Sequence, residues 1–266
     1  MTAYYNEIDA YAAQWLRNLI TKNLIAPGDV DERDIRNVTA NDLRGYKQHH
    51  FFAGIGGWSL ALRLAGWPDD GPVWTGSCPC QPFSLAGQKK SFADEHHLWP
   101  AWFNLIKQSA PPVIFGEQVA AAIRQGWLDA VYADLEGEGY ACGAAVLPAC
   151  GLGAPHIRQR LWLVCDDELG RAGTPGLSPR ERQELSGPQQ FNERRAVEQP
   201  SHSPWSNLVW LPCTDGKARP AQSGIQPLAH GVPARVGKLR AAGNAIVPQV
   251  AAAFITAVVE CLSSDN

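Results

Sequence analysis

The sequence predicts an α/β fold: a mostly parallel sheet with helices on both faces, followed by a smaller irregular segment. Three observations predict it. Short apolar, strand-like runs alternate with helical periodicity over residues 1–165. From about Asp166 to Ala229 the character changes to Gly, Pro, Ser, Gln and Arg with weak periodicity. The chain then closes on an apolar helix after a Gly-Asn turn, LRAAGNAIVPQVAAAFITAVVECL.

Taken in order, EIDAYAAQWLRNLI carries apolar residues at helical spacing, and HHFFAG is a short apolar run closed by glycine. PVWTGS, PVIFGE and RLWLVC are further strand-like runs, with helical stretches between some of them. No internal repeat interrupts this order. At 266 residues the chain is long enough for one large domain, or one large and one small. The catalytic body is expected over 1–165 and 236–266, with a separate recognition segment at 166–235.

With 45% hydrophobic and 18% charged residues, the composition is that of an ordinary globular protein. No stretch reads as a membrane span and the N-terminus lacks a secretory pattern, so a cytoplasmic protein is expected. The seven scattered cysteines read as reduced thiols rather than a disulfide framework. None has the spacing of a zinc pair, so no metal is expected. A net charge of −3 argues against a protein that merely coats nucleic acid. Yet residues 171–240 hold ten Lys and Arg against five acids, a local positive surplus.

Four segments carry chemistry. FFAGIGGWSLALRLAGW, residues 51–67, runs from a short strand through Gly54, Gly56 and Gly57 into a helix. Glycines there let backbone approach a ligand at a helix N-terminus, although such a turn is often only a turn. Pro79-Cys80-Gln81 places a thiol just beyond a strand, where it could be a nucleophile or a small buried residue. Glu117 ends the run VIFGE. Apolar walls there would raise its pKa and suit it to proton sharing, while a plain helix-start acid is the bland reading. Arg158 and Arg160 precede an apolar run at a spacing of two, which suits either one-sided contact with oxygens or an edge ion pair.

In combination these segments resemble the DNA cytosine-C5 methyltransferase family, of the bacterial or phage type. FAGIGG resembles its first motif and Pro79-Cys80-Gln81 its nucleophile motif. Glu117-Gln118-Val119 resembles its Glu-Asn-Val, Arg158-Gln159-Arg160 its Arg-x-Arg, and Gly243-Asn244-Ala245 its final Gly-Asn turn. Five partial motifs in one order are far more specific than any one. Gln118 departs from the family's Asn, and His156 stands where Gln is common.

The resemblance implies a Rossmann-like, S-adenosylmethionine-dependent methyltransferase sheet with a small irregular target-recognition domain. The expected reaction belongs to DNA methylation of the restriction-modification kind, on a cytosine flipped from duplex DNA. Cys80 would attack C6 and Glu117 would hold N3 and the exocyclic amine. Arg160 would hold O2 and Arg158 would support the nucleophile loop. Cofactor contacts would come from Phe52, Gly54, Ile55, Gly57, Pro79, Leu98, Asn244 and Ala245. A monomer acting on double-stranded DNA is expected, with no membrane partner. RNA cytosine methylation, or an inactive DNA-binding relative, would share the same residues.

One feature departs from the family's chain order. Between Gly57 and Pro79 there is room for only one helix and one strand, whereas the family carries two strand–helix units there. The missing unit resembles the N-terminus, as in a circular permutation with residues 1–48 as the displaced half-site. On that reading Glu7 is the ribose acid, Ile8 lies under the adenine, and Asp29 with Val30 form the adenine pair. Keeping the family's strand order would then place the first-motif strand beside the nucleophile strand. If its helix stayed on the usual face, the crossover would be left-handed, which is rare.

Overall fold

A computed structural model describes residues 2–79, 98–167, 208–212, 216, 218–222 and 241–264. Cys80 and most of the expected recognition segment lie outside the described residues. Strands β1 (Ala3–Asn6), β2 (Gly28–Asp31), β3 (Gln48–Phe51), β4 (Val73–Gly76) and β5 (Val113–Val119) run parallel in the order β2-β1-β3-β4-β5. β7 (Gln159–Asp166) joins β5 antiparallel, and β6 (Ala141–Pro148) closes that edge antiparallel to β7. β1, β3 and β4 are buried along their whole length, as covered parallel strands must be. β2, Gly-Asp-Val-Asp, is a partly exposed edge that its acids protect from further pairing.

Alternation of side chains divides the core in two. Tyr4, Phe51, Trp74 and Ile114 point to one face, where α3 (Trp99–Ser109) and α4 (Trp127–Gly137) pack on them. Tyr5, Val73, Phe115 and Trp162 point to the other, beneath α1 (Ala10–Thr21), α2 (Gly57–Leu64) and α5 (Pro248–Ser264). Each fully buried large apolar side chain, such as Leu16, Leu62 or Ile106, contributes roughly 1.5–3 kcal/mol. Local signals start the helices. Asp9 Oδ1 accepts the N–H groups of Tyr11 and Ala12 at 3.0 Å, capping α1. Gly56 enters α2 at φ 85°, and a Cβ there would meet Ile25 and Leu16 at 3.2 and 3.3 Å.

The crossovers differ in hand. β1–α1–β2 steps outward toward one sheet edge, while β3–α2–β4 steps toward the other. Both helices nevertheless lie on the same face: Leu16 of α1 packs with Tyr5, and Ser59 of α2 meets the Tyr5 hydroxyl at 3.0 Å. Opposite steps on one face require opposite hands. β4–α3–β5 steps the same way as β3–α2–β4 but uses the other face, so it shares the hand of β1–α1–β2. The odd unit is β3–α2–β4; since about 98% of such connections are right-handed, it is the left-handed one.

Two expectations are corrected here. Cys142 and Cys165 are not free thiols: they are direct cross-strand partners on β6 and β7, with Cα atoms 4.2 Å apart, and form a disulfide. Ala241–Cys261 does meet the length and apolarity of a membrane span, with mean hydropathy 1.6. Val250, Ala251 and Ile255 within it are buried in the core beneath Trp162 and Phe115, which gives that apolarity a packing reason. Within the expected recognition segment, β8 (Leu208–Pro212) and β9 (Ala218–Gln222) pair antiparallel.

Candidate active site

The direction in which the connections step along the sheet reverses between the parallel neighbours β1 and β3, and at such a switch point the loops beyond the strand ends part to leave a crevice. A cavity of about 420 Å³ lies there, at the carboxyl ends of β1 to β5. Its first wall comes from Glu7 and Ile8 after β1, Asp34 and Ile35 after β2, and Phe52 and Gly54 after β3. The Glu7 carboxylate accepts Asp9 N–H at 2.8 Å with one oxygen and Gly54 N–H at 2.7 Å with the other. Buried Asn6 donates to the carbonyls of Asp31 and Arg33 at 3.3 and 2.8 Å, which fixes the loop bearing Asp34. Phe52 (φ 52°) is left-handed, a cost that only a tightly held turn sustains, and Gly54 (φ 55°) takes the same region freely.

The second wall sets one carboxylate between two arginines. Glu117, at the end of β5, is 9% exposed, and Arg160 Nε donates to its Oε1 at 2.9 Å. Arg160 pairs with Val119 across the β5–β7 ladder, so it reaches Glu117 as a diagonal neighbour on the same face. Burial pushes the Glu117 pKa up, against the lowering influence of Arg160, Arg158 and a Ser77 hydrogen bond. Arg158 precedes β7 at φ 31°, and its Nη2 donates to the carbonyls of Gly243, at 3.1 Å, and Ala245. Burial lowers the Arg158 pKa, and its Nε is buried without a partner among the described residues. Gln118 donates to the Cys78 carbonyl at 2.9 Å and accepts Val119 N–H at 2.8 Å, tying β5 to the segment two residues before Cys80.

The structure thus brings Glu7, Ile8, Phe52, Gly54, Pro79 and Leu98 to one cavity, together with Glu117, Arg158, Arg160 and Asn244. It does not bring Asp29 and Val30. Both lie within β2; Asp29 accepts the Tyr46 hydroxyl at 2.8 Å, and Val30 packs on the core with Leu16. Asp34 and Ile35 occupy the cavity instead. The signal was present: a second acid–apolar pair five residues on, beyond the strand rather than inside it. Ile55 and Gly57 are also off the cavity; a Cβ on Gly57 would lie 2.6 Å from the Ile246 side chain. Ala245 enters through its carbonyl on Arg158 rather than as lining. Arg158, expected to support the nucleophile loop, holds the C-terminal turn among the described residues.

The family model for C-5 cytosine-specific DNA methylases matches residues 67–202 of the chain. The chain belongs to that family. Its relatives include the type II methyltransferases M.NlaX of Neisseria lactamica, 29% identical over 49% of this chain and 44% of that protein, and M.HhaI of Haemophilus parahaemolyticus, 26% identical over 48% and 51%. M.AplI of Arthrospira platensis is 29% identical over 40% of this chain and 30% of its own length. The chain spans about half or less of these relatives. Among solved structures, Dnmt2 of S. pombe aligns at TM-score 0.41 with 16% identity, over 79% of this methylase-family chain and 64% of Dnmt2. EhMeth of Entamoeba histolytica aligns at TM-score 0.43 with 16% identity, over 62% and 44%. The family match begins at residue 67, so β1 to β3, with Glu7, Asp34 and the glycine turn, lie ahead of it.

Proposed function

We propose that the chain transfers a methyl group from S-adenosylmethionine to C5 of a cytosine flipped out of duplex DNA, through a covalent bond between Cys80 and C6. The observation that carries this reading is the Glu117–Arg160 pair. A nearly buried carboxylate and a guanidinium, 2.9 Å apart, share a cavity with the strand end leading to Cys80. The cavity's first wall fits the cofactor. Glu7 and Asp34 offer carboxylates to hydroxyl and amine hydrogens, and Ile8, Ile35 and Phe52 offer apolar surface to a purine. The bound sulfonium supplies an electrophilic methyl group.

The chain's own residues then act on the base. Burial raises the Glu117 pKa and so favours proton sharing with N3, by which the charge that builds as Cys80 attacks C6 would be offset. Arg160, already on Glu117, presents its guanidinium to O2. Once C5 carries the methyl group, a base removes its proton, the electron pair returns to C5–C6, and Cys80 leaves as thiolate. Residues 166–235 would contact the DNA backbone and base edges, the positive surplus lying over 171–240.

Labelled methyl transfer to duplex DNA, with tRNA in parallel, tests the substrate. A covalent adduct on duplex DNA containing 5-fluorocytosine, absent in Cys80→Ala, tests the intermediate. Transfer to tRNA alone would overturn the duplex reading.

A further inference from the structure

Glu117 is held from a second direction, by a residue outside the motifs. Ser77 follows β4 directly and lines the same cavity. Trp58 Nε1, from the first turn of α2, lies 3.1 Å from Ser77 Oγ. An indole N–H only donates, so Ser77 must accept there, and its single hydroxyl proton remains to be given elsewhere. Glu117 lines the same cavity, and Ser77 acts to lower the pKa of its carboxyl by side-chain hydrogen bonding, which makes that carboxylate the acceptor for the proton. Trp58 itself is fixed: it is 2% exposed, edge-on to Trp162 at 5.6 Å and stacked on Phe115 at 6.3 Å.

We infer that Ser77 is a positioning residue for Glu117, with its hydroxyl aimed by the Trp58 indole so that it donates to the carboxylate and fixes it toward the base. The inference rests on the role proposed above for Glu117. Of the groups facing Glu117, Arg160 and Arg158 come from the β7 side and Ser77 from the β4 side; its neighbours on β5, Gly116 and Gln118, are uncharged. The arginines are charged throughout the working pH range, so Ser77 is the neutral donor that decides the orientation of the second flank. A donor to the ionised carboxylate also favours that form, so its loss must move the Glu117 titration upward.

The test is a carboxyl-carbon NMR titration of the full chain labelled at glutamate, with Glu117→Gln assigning the signal. Ser77→Ala should raise the Glu117 midpoint by about one pH unit, the scale of one hydrogen bond to a charged group. The pH–rate limb governed by Glu117 should move with it, and kcat should fall about tenfold while KM for S-adenosylmethionine stays unchanged. Ser77→Thr, which keeps the hydroxyl, should restore the midpoint, and Trp58→Phe should give an intermediate shift. If Ser77→Ala does not fold, the Trp58→Phe shift decides alone. An unmoved midpoint in the folded variants overturns the inference. Full activity in Glu117→Gln overturns instead the role of Glu117 on which it rests.

Discussion

The Glu7 carboxylate at the end of β1 accepts the backbone N–H of Gly54 in the turn after β3 at 2.7 Å, across 47 residues of sequence. One side chain therefore braces the glycine turn and presents its carboxylate to the cavity. Glu7→Ala should weaken S-adenosylmethionine binding by about tenfold or more, since each lost charged-acceptor hydrogen bond costs roughly 1.5–3 kcal/mol. Glu32→Ala is the control, because Glu32 makes only a half-exposed pair with Arg17. Calorimetric titration that gives equal affinities for the two variants would remove Glu7 from the cofactor site.

Asp34 and Asp29 should separate cleanly in the same assay. Asp34→Ala removes a cavity carboxylate and should lower cofactor affinity several-fold. Asp29→Ala loses only its partner Tyr46 and should bind as the unaltered chain does. The reverse order would restore the in-strand pair as the adenine contact.

Cys80→Ala should abolish methyl transfer and leave cofactor affinity nearly unchanged, because the role proposed for the thiol is on the base. Residual transfer at a tenth of the normal rate or more would assign the nucleophile elsewhere.

Gln118→Leu should leave the Cys78 carbonyl without that donor at a buried position. A loss of about 1–3 kcal/mol in urea unfolding is expected, with a fall in kcat larger than any change in cofactor affinity. Unchanged stability and rate would show that the strand end leading to Cys80 is held without it.

Stability should depend on mildly acid pH through His50. Complete burial pushes its pKa down to about 3, and its ring nitrogens meet Thr75 at 2.8 Å and Gln48 at 3.2 Å. With the folded value below the unfolded 6.5, the unfolded chain binds a proton that the native chain refuses. Stability is therefore full above about pH 6.5 and declines below it, approaching about 1.4 kcal/mol per pH unit from this group. Urea midpoints between pH 5 and 7 measure it, and His50→Asn should flatten the slope. An unchanged slope in that variant would assign the acid sensitivity to other groups.

The sequence reveals those parts of the fold whose signals are local. The apolar runs around Phe51, Trp74, Phe115 and Leu163 become strands, and the helical periodicity from Ala10 becomes α1. β2 and β6 are hidden because Gly-Asp-Val-Asp and Ala-Cys-Gly-Ala-Ala-Val-Leu-Pro hold few strand-favouring side chains; pairing with β1 and β7 supplies what propensity does not. The antiparallel entry of β7 is likewise long-range. At the site, Glu117 and the arginines could be picked out because ionisable groups beside apolar runs are unusual. Ser77 could not, since its role depends on an indole from α2 that no spacing in the sequence announces. Asp34 was missed by one choice, between an acid inside a strand and an acid beyond it.

The left-handed β3–α2–β4 unit bears on the order of events during synthesis. Its helix lies against α5: Trp58 and Leu62 share a core with Ile246, Val250 and Phe254, and Gly57 leaves no space beside Ile246. A connection of the disfavoured hand gains little from strand twist alone and needs a partner to hold its helix down. That partner is α5, which is synthesised well after α2. A nascent chain ending before residue 241 thus carries the glycine turn, Ser77 and Glu117 but lacks the surface that locks α2 and, through Trp58, the Ser77 hydroxyl. The glycine turn and the Trp58–Ser77 contact are therefore set only once α5 has emerged, so a chain cut short before it would carry them unfixed.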